Sequence, residues 1–271
     1  MSPPASGADS RQLLRQAEEA AALGGRIVAS RFGRPGAHVE AKGRTGDWVS
    51  TVDRESEAAI RDFLQHATPD ISVLAEEGGG RRGEAYWAVD PLDGTTNFLL
   101  GFPVVAVSVA LVQDEQPSVA AVRAPLLGLS FSAARGRGAW CDGDRMRVSE
   151  RPVARAIVAT ALPFRDRSIL PRYLPVLEAV FDRVEDIRRP GAAALDLAWV
   201  AAGVFDGYFE LNLSVWDVAA GALLVQEAGG AVTDWDGGSN YLSGNVMAGS
   251  PATHAVLLAA AANVATDAPR R

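Results

Sequence analysis

The sequence predicts a mixed α/β fold in which helices and sheets alternate in layers. Apolar residues recur at helical spacing near the amino terminus, short strand-like segments follow one another in the middle, and both kinds alternate in the second half. No internal repeat or Pro/Ser-rich linker interrupts the chain after its first residues. We therefore expect a disordered tail at 1–10 and one domain at 11–271, with two subdomains that share a site and meet near residue 150.

The first half is expected to contain two helices and then a run of strands. The first helix should run from Arg11 to Phe32, and a second should open at Asp53, since acids suit the first turn of a helix. Strands are expected in two apolar runs that end in acids, ISVLAEE and YWAVD. Further strands at 104–112, 118–124 and 128–134 have the spacing of an antiparallel meander.

The second half is expected to alternate between strands and helices. The strand-like segments are RAIVATAL, VEDIRR, DGYFELN and AVTDW. Helices are expected at 170–182, in AAALDLAWVAAGVF and WDVAAGALLVQEAG, and near 252–264. In layered proteins of this kind, ligands gather where strands end and helices begin.

Composition narrows the class of protein. The 271 residues are 48% hydrophobic and 22% charged, as in a globular protein with a substantial core. The net charge of −7 gives no support for a nucleic-acid surface, so we expect no direct contact with nucleic acid. The single cysteine, the lack of a signal-peptide pattern and the absence of a long apolar run predict a cytoplasmic protein without membrane contact.

Lys42 stands out as the only lysine among 26 basic residues. Codon bias toward arginine explains the general excess, but it leaves this exception unexplained. Lys42 lies in the Gly-containing segment AKGRTGD, and the exception suggests a position that tolerates a compact ammonium group and not a broad guanidinium. This makes Lys42 a candidate functional residue.

Carboxylates at the ends of predicted elements indicate a metal site. Asp90 and Asp93 lie three residues apart around Pro91, while Glu76 follows a predicted strand and Asp217 precedes a predicted helix. Two such close carboxylates repel each other unless a cation lies between them. Hard oxygen ligands suit Mg²⁺, which also retains water and substrate phosphate in its coordination shell.

The residues after Asp93 suit an anion. Gly94 permits close approach of the backbone, and Thr95 and Thr96 can begin a helix or turn whose N–H groups face a phosphate. Taken alone, DPLDGT is equally typical of a tight turn, and Asp217 of a helix N-cap. Only the combination of these segments favours a catalytic site.

The most specific segments are AEEGG, WAVDPLDGTTNF and WDVAAGALLVQEAGG. Together they resemble the signature of the inositol monophosphatase family, within the Mg²⁺-dependent, lithium-sensitive sugar-phosphatase superfamily that includes fructose-1,6-bisphosphatases. The resemblance extends from Gln12 to Leu258 and includes KGRTGDWVSTVD, GRGAWCDG and RRPGAAALDLAWVAAGVFDGYFE. It implies a layered αβαβα sandwich, a homodimer and a lithium-sensitive phosphatase.

The resemblance also implies which residues bind metal. Glu76, Asp90 and the backbone carbonyl of Leu92 would hold a first Mg²⁺. Asp90, Asp93 and Asp217 would hold a second, so that Asp90 bridges the two ions. A third, weaker Mg²⁺ would lie near Glu76.

The catalytic residues implied by the resemblance are Thr95, Asp53, Glu76 and Lys42. Thr95, oriented by Asp53, would position and deprotonate the attacking water, and Lys42 would lie on a mobile flap over the site. In such enzymes metal ions clamp the phosphate and stabilise the leaving alkoxide while water attacks in line. No covalent phosphoenzyme is required.

The expected substrate is a small phosphorylated polyol, inositol 1-phosphate first. Glu210, seven residues before Asp217, matches the glutamate that binds ring hydroxyls in the family. The remaining substrate-binding residues would be Asp93, Gly94, Thr95, Thr96, Ala193 and Asp217. GTTNF resembles the inositol and fructose-1,6-bisphosphate phosphatases more than the histidinol-phosphate phosphatases.

Three alternatives stay open. The same chemistry could act on fructose 1,6-bisphosphate or histidinol phosphate. The chain could be a regulatory protein that binds the transcription machinery, with incidental phosphatase activity. It could also be a metal-free structural homologue, although such a homologue is expected to have lost one of the four acids that are all present here.

Overall fold

The computed structural model describes residues 7–34, 39–41 and 48–267. These residues form five layers in the order helix, sheet, helix, sheet, helix, which confirms the predicted αβαβα sandwich. Within this part of the chain no helix is both long enough and apolar enough to span a bilayer.

The helices and strands of the described residues have the following bounds. The α-helices are α1 (Gly7–Arg31), α2 (Thr51–Ala67), α3 (Thr95–Leu100), α4 (Leu170–Phe181), α5 (Ala193–Ala201), α6 (Val215–Glu227) and α7 (Pro251–Asp267). The first strands are β1 (Val39–Ala41), β2 (Trp48–Ser50), β3 (Ser72–Ala75), β4 (Ala85–Asp93), β5 (Ala106–Gln113), β6 (Gln116–Ala124) and β7 (Leu129–Ala134). The later strands are β8 (Gly138–Cys141), β9 (Asp144–Arg145), β10 (Ile157–Thr160), β11 (Asp186–Arg188), β12 (Gly207–Glu210), β13 (Ala231–Thr233) and β14 (Val246–Gly249).

The first large sheet has the strand order β3-β4-β5-β6-β7-β8-β9. β3 and β4 are parallel, whereas every later pair is antiparallel, so the predicted meander is confirmed. One face packs on α1 and α2, and the other on α5 and α6. Because both faces are covered, β5 is a nearly continuous apolar run and does not alternate with polar residues.

The second large sheet has the order β11-β10-β12-β14-β13 and mixes parallel and antiparallel pairs. α5 and α6 fill the space between the two sheets, while α4 and α7 cover its outer face. α5 and α6 are apolar on nearly all sides because both sides are buried. A side chain at Gly221 would collide with Leu197, so glycine permits the close contact of these helices.

Several short elements differ from the sequence prediction. β1, β2, β8, β9 and β14 were not predicted, because strands this short carry too few residues to show a period. α1 begins at Gly7, so residues 7–10 of the expected tail form its first turn. That turn has the sequence GADS, which has little apolar periodicity to reveal a helix. The helix expected over 192–205 ends at Ala201, and Gly203 leaves helical geometry with φ of +71°.

Candidate active site

A cavity of about 320 Å³ brings together most of the residues predicted for the site. Its wall comes from the end of β4, the start of α3, the loop after β10, and the starts of α5 and α6. The predicted residues in that wall are Glu76, Asp90, Leu92, Asp93, Gly94, Thr95, Thr96, Ala193, Glu210 and Asp217. Asp53 contacts the wall through Thr95, whereas Lys42 lies outside the described residues.

The turn from β4 into α3 positions the first acids. The pairing of β4 with β5 shifts register between Asp90 and Asp93, which places an irregularity where both carboxylates must reach the cavity. The Leu92 amide donates to Asp90 Oδ1 at 3.0 Å and closes the turn. Gly94 has φ of +87°, and a Cβ there would lie 2.9 Å from the carbonyl oxygen of Val104. Glycine is therefore required to enter α3 at this angle.

Three buried carboxylates form the centre of the site. Asp90, Asp93 and Asp217 each offer an oxygen, and these oxygens all lie within 4.8 Å of one another. Asp93 also accepts hydrogen bonds from the amides of Ala193 at 3.1 Å and Ala194 at 2.8 Å, at the start of α5. The cluster is thus held by the backbone of the second half of the chain.

Burial and mutual repulsion raise the pKa values of these acids. Burial, with the charge of Asp217, raises the pKa of Asp93 to about 8, and burial, with the charge of Glu76, raises that of Asp217 to about 6. The pKa of Asp90 is raised well above its usual value by burial and then by Glu76, Asp93 and Asp217. A divalent cation would favour the ionised forms. Buried carboxylates this close together fit a hard cation such as Mg²⁺.

Thr95 and Asp53 form a hydrogen-bonded pair beside the cluster. Thr95 Oγ1 lies 3.0 Å from Asp53 Oδ1 and 3.1 Å from the carbonyl oxygen of Leu92. Asp53 also accepts from the Ser50 amide at 2.8 Å and from the Ser50 hydroxyl, in a capping box. α2 therefore begins at Thr51 and not at Asp53, because Ser50 is the residue that caps it. Burial is the main cause of the raised pKa of Asp53.

Glu76 lies in the cavity wall just after β3, outside the group of three closely set acids. Its loop is held by Glu57 of α2, whose carboxylate accepts from the amides of Glu77 and Gly78, each at 2.7 Å. Glu57 also pairs with Arg61 at 3.1 Å. Sequence reasoning missed Glu57, since an acid on a helix is usually exposed and only its burial in the structure distinguishes it.

Another part of the wall carries Glu210 at the end of β12. The Tyr208 hydroxyl donates to its carboxylate, and burial raises the pKa of Glu210 to about 7. Arg165 and Arg189 act in the opposite direction on this pKa, and the Arg189 guanidinium lies 4.9 Å from the ring centre of Phe164. Sequence reasoning missed both arginines because arginine is abundant throughout the chain.

The chain is similar to known proteins over nearly its whole length. The family model described as the inositol monophosphatase family matches residues 9–266. The Nus factor SuhB of Escherichia coli strain K12 is 40% identical over 264 residues, which is 96% of this chain and 99% of that protein.

Two solved structures share the fold. The IMPase of Thermotoga maritima is 30% identical with a TM-score of 0.84, covering 94% of this chain and 98% of that one. An IMPase/NADP phosphatase complexed with Mg²⁺ and phosphate is 25% identical with a TM-score of 0.74, covering 83% and 85%. From the match over nearly its whole length, this chain belongs to the inositol monophosphatase family.

Proposed function

We propose that this chain is a Mg²⁺-dependent phosphomonoesterase that hydrolyses inositol monophosphate, with inositol 1-phosphate as its first substrate. The observation that carries this proposal is the close group of Asp90, Asp93 and Asp217 beside the Thr95–Asp53 pair in one cavity. Family membership supports phosphatase activity in general, and the choice of substrate rests on the residues of the wall.

Glu76, Asp90, Asp93, Asp217 and the carbonyl oxygen of Leu92 are the oxygen donors that would hold two or, more weakly, three Mg²⁺ ions. Bound Mg²⁺ neutralises the charge of the phosphate and of the leaving oxygen. The relative that is complexed with Mg²⁺ and phosphate supports this assignment.

Thr95 and Asp53 would orient the attacking water and take up its proton. The Thr95 hydroxyl donates to Asp53, so its oxygen lone pairs are free to accept a hydrogen bond from water in the cavity. Burial raises the pKa of Asp53, which makes this carboxylate a better proton acceptor than an exposed one. Gly94 and Thr96, which also line the cavity, would hold the phosphate through their backbone amides.

The polyol would bind against Glu210, Asp93 and the backbone of Ala193. The cavity volume of about 320 Å³ lies within the roughly 300–1,000 Å³ typical of small-molecule sites, which suits a small polyol phosphate. Lys42 as a flap residue stays a prediction. The homodimer, the inhibition by lithium and the cytoplasmic location also stay predictions.

A panel of phosphate esters tests the choice of substrate. Phosphate release in the presence of Mg²⁺ should be fastest from inositol 1-phosphate, and slower from fructose 1,6-bisphosphate, histidinol phosphate and adenosine 3′,5′-bisphosphate. A clear preference for one of the other esters would contradict the substrate assignment while leaving the metal site in place. Glu210→Gln should slow turnover of the preferred polyol ester more than that of an aryl phosphate.

A second candidate function is regulatory binding to the transcription machinery. It is favoured by the relatives that carry the name Nus factor SuhB, at 40% identity over 96% of this chain. That name also stands against our expectation of no contact with nucleic acid. A pull-down of transcription complexes with wild type and with an inactive Asp90→Asn variant would test it, because equal capture by both would show binding that is independent of catalysis.

A further inference from the structure

Tyr208 and Glu210 lie two residues apart on β12 and so point to the same face of the second sheet. The Tyr208 hydroxyl donates a hydrogen bond to Glu210 Oε2. Glu210 lines the cavity, whereas Tyr208 is fully buried in the core between the two sheets. Tyr208 is thus a core residue whose one polar atom contacts the wall of the site.

The position of the Tyr208 ring is fixed by its surroundings. Its partners on the neighbouring strands are both alanine, Ala159 on β10 and Ala248 on β14. These small side chains leave space on the sheet for one large ring between them. Burial raises the pKa of Tyr208 well above its usual value, so the hydroxyl keeps its proton and remains a donor near neutral pH.

Glu210 is therefore anchored through both its backbone and its side chain. Trp235 Nε1 donates to the backbone oxygen of Glu210 at 2.9 Å, and Tyr208 holds the carboxylate. A carboxylate has about four lone-pair positions, so one bond from Tyr208 leaves others for hydroxyl groups in the cavity. The rotational entropy of the glutamate side chain is then lost on folding and not on substrate binding.

We propose that Tyr208 is the positioning residue that holds the Glu210 carboxylate toward the ring hydroxyls of the substrate, and so sets the preference of this site for polyol phosphates over esters without hydroxyl groups. This inference rests on the proposed function, because it requires Glu210 to bind substrate hydroxyls.

The test compares Tyr208→Phe with wild type on inositol 1-phosphate and on p-nitrophenyl phosphate, which has no ring hydroxyls to bind. The measured quantity is the ratio of the two kcat/KM values at saturating Mg²⁺. Loss of a hydrogen bond to a charged group should lower this ratio by about tenfold. Tyr241→Phe is the control, because it also removes the hydroxyl of a buried tyrosine. The Tyr241 hydroxyl accepts a hydrogen bond from Gln226 at 3.2 Å and lies outside the cavity wall.

A double-mutant cycle separates positioning from a general loss of stability. If Tyr208 acts through Glu210, the Tyr208→Phe/Glu210→Gln pair should have the same ratio as Glu210→Gln alone. A purely structural role would lower both kcat/KM values equally, leave the ratio unchanged as in the control, and overturn the proposal. The retained turnover of p-nitrophenyl phosphate reports that the variant is folded.

The same variants distinguish a wrong role for Tyr208 from a wrong role for Glu210. If Glu210→Gln lowers the ratio and Tyr208→Phe does not, the role of Tyr208 is wrong and the proposed function stands. If neither variant changes a wild-type preference for the polyol ester, Glu210 does not bind hydroxyls, and the inference falls with that part of the proposed function. A wild type with no preference for the polyol ester overturns both.

Discussion

At the level of a single residue, the position of Asp90 suits function at a cost in stability. It is almost fully buried, and three further acids raise its pKa in addition to burial. A chain that folds around such a group gives up stability unless a cation compensates for the repulsion. Acids placed in this way are typical of sites that bind or catalyse.

Asp90→Asn should separate the contribution of Asp90 to activity from its cost in stability. The asparagine oxygen can still accept from the Leu92 amide, so the turn should be preserved. Mg²⁺-dependent phosphate release should fall by at least about a hundredfold, since metal ions supply several kcal/mol of charge stabilisation in the transition state. The unfolding temperature measured in EDTA should stay equal or rise, because one repelling charge is removed.

The control for this change is Asp62→Asn, on the exposed side of α2. It alters the net charge by the same amount and should leave phosphate release and stability near wild type. Activity of Asp90→Asn within a fewfold of wild type would contradict the assignment of Asp90 to the metal site.

The residues that the sequence did not reveal act through partners far away in the chain. Asp90, Asp93 and Thr95 lie in one short segment, and that segment predicted a site in combination with Glu76 and Asp217. Glu57, in contrast, acts through an amide 20 positions away, that of Glu77. The Tyr208 hydroxyl donates to Glu210, only two positions away. The sequence GYFE does not show whether its tyrosine donates to a carboxylate or is an ordinary core residue.

At the level of elements, α2 organises two parts of the site at once. Its amino-terminal capping box fixes Asp53, which holds Thr95, and its second turn carries Glu57, which holds the loop after β3. Pairing with Arg61 on the next turn keeps Glu57 in place. The helix therefore connects the residues proposed for water activation with the loop that carries Glu76.

Glu57→Gln should weaken Mg²⁺ binding without touching a metal ligand. A glutamine can accept through only one oxygen, and its NH₂ group would face an amide donor of Glu77 or Gly78. The loop that carries Glu76 should loosen, and the Mg²⁺ concentration for half-maximal activity should rise about tenfold to a hundredfold.

Glu55→Gln on the same helix is the control for this substitution. Glu55 pairs with Arg31 at 2.9 Å on the surface, where both side chains are about half exposed, so its loss should leave the Mg²⁺ dependence unchanged. Equal effects of the two substitutions would show that Glu57 does not position the loop.

Long elements were predictable from the sequence and short ones were not. β5 and α6 have apolar runs long enough to identify, whereas β14 has four residues and α3 has six. An isolated helix as short as α3 has little stability of its own. It is ended on both sides by glycines in left-handed conformation, Gly94 and Gly101, which the sequence shows only as turn residues.

At the level of the whole molecule, the site joins the two halves of the chain. Asp90 and Asp93 come from the first half and Asp217 from the second, and Asp93 accepts from amides about 100 positions later. The expected boundary near residue 150 therefore separates segments that meet again at the cavity. The alternation of helices and sheets in layers followed from the pattern of elements and the αβαβα order from the family resemblance, but the contact between Asp93 and the start of α5 required the structure.

Stability should depend on pH and Mg²⁺ together. The pKa values of Asp93, about 8, and Asp217, about 6, lie above the 3.8 of an ordinary aspartate. Between roughly pH 4 and pH 8 the folded chain without cation thus binds more protons than the unfolded chain, and its stability falls as pH rises. Bound Mg²⁺ replaces those protons, so the rise in Tm that it causes should be larger at about pH 8 than at about pH 5.

Thermal unfolding in Mg²⁺ and in EDTA at both pH values measures this difference. The Asp90→Asn variant should lose most of it, since its cluster has one charge fewer. An equal Mg²⁺ effect at the two pH values in wild type would show that these acids do not exchange protons for the cation.

The most direct measurement is phosphate release from inositol 1-phosphate by the purified chain, in Mg²⁺ and again after its removal with EDTA. The arrangement of Asp90, Asp93 and Asp217 predicts steady turnover that stops in EDTA and returns when Mg²⁺ is restored. Turnover that persists in EDTA, or no phosphate release in Mg²⁺ from a folded protein, would contradict the proposed Mg²⁺-dependent hydrolysis of inositol 1-phosphate.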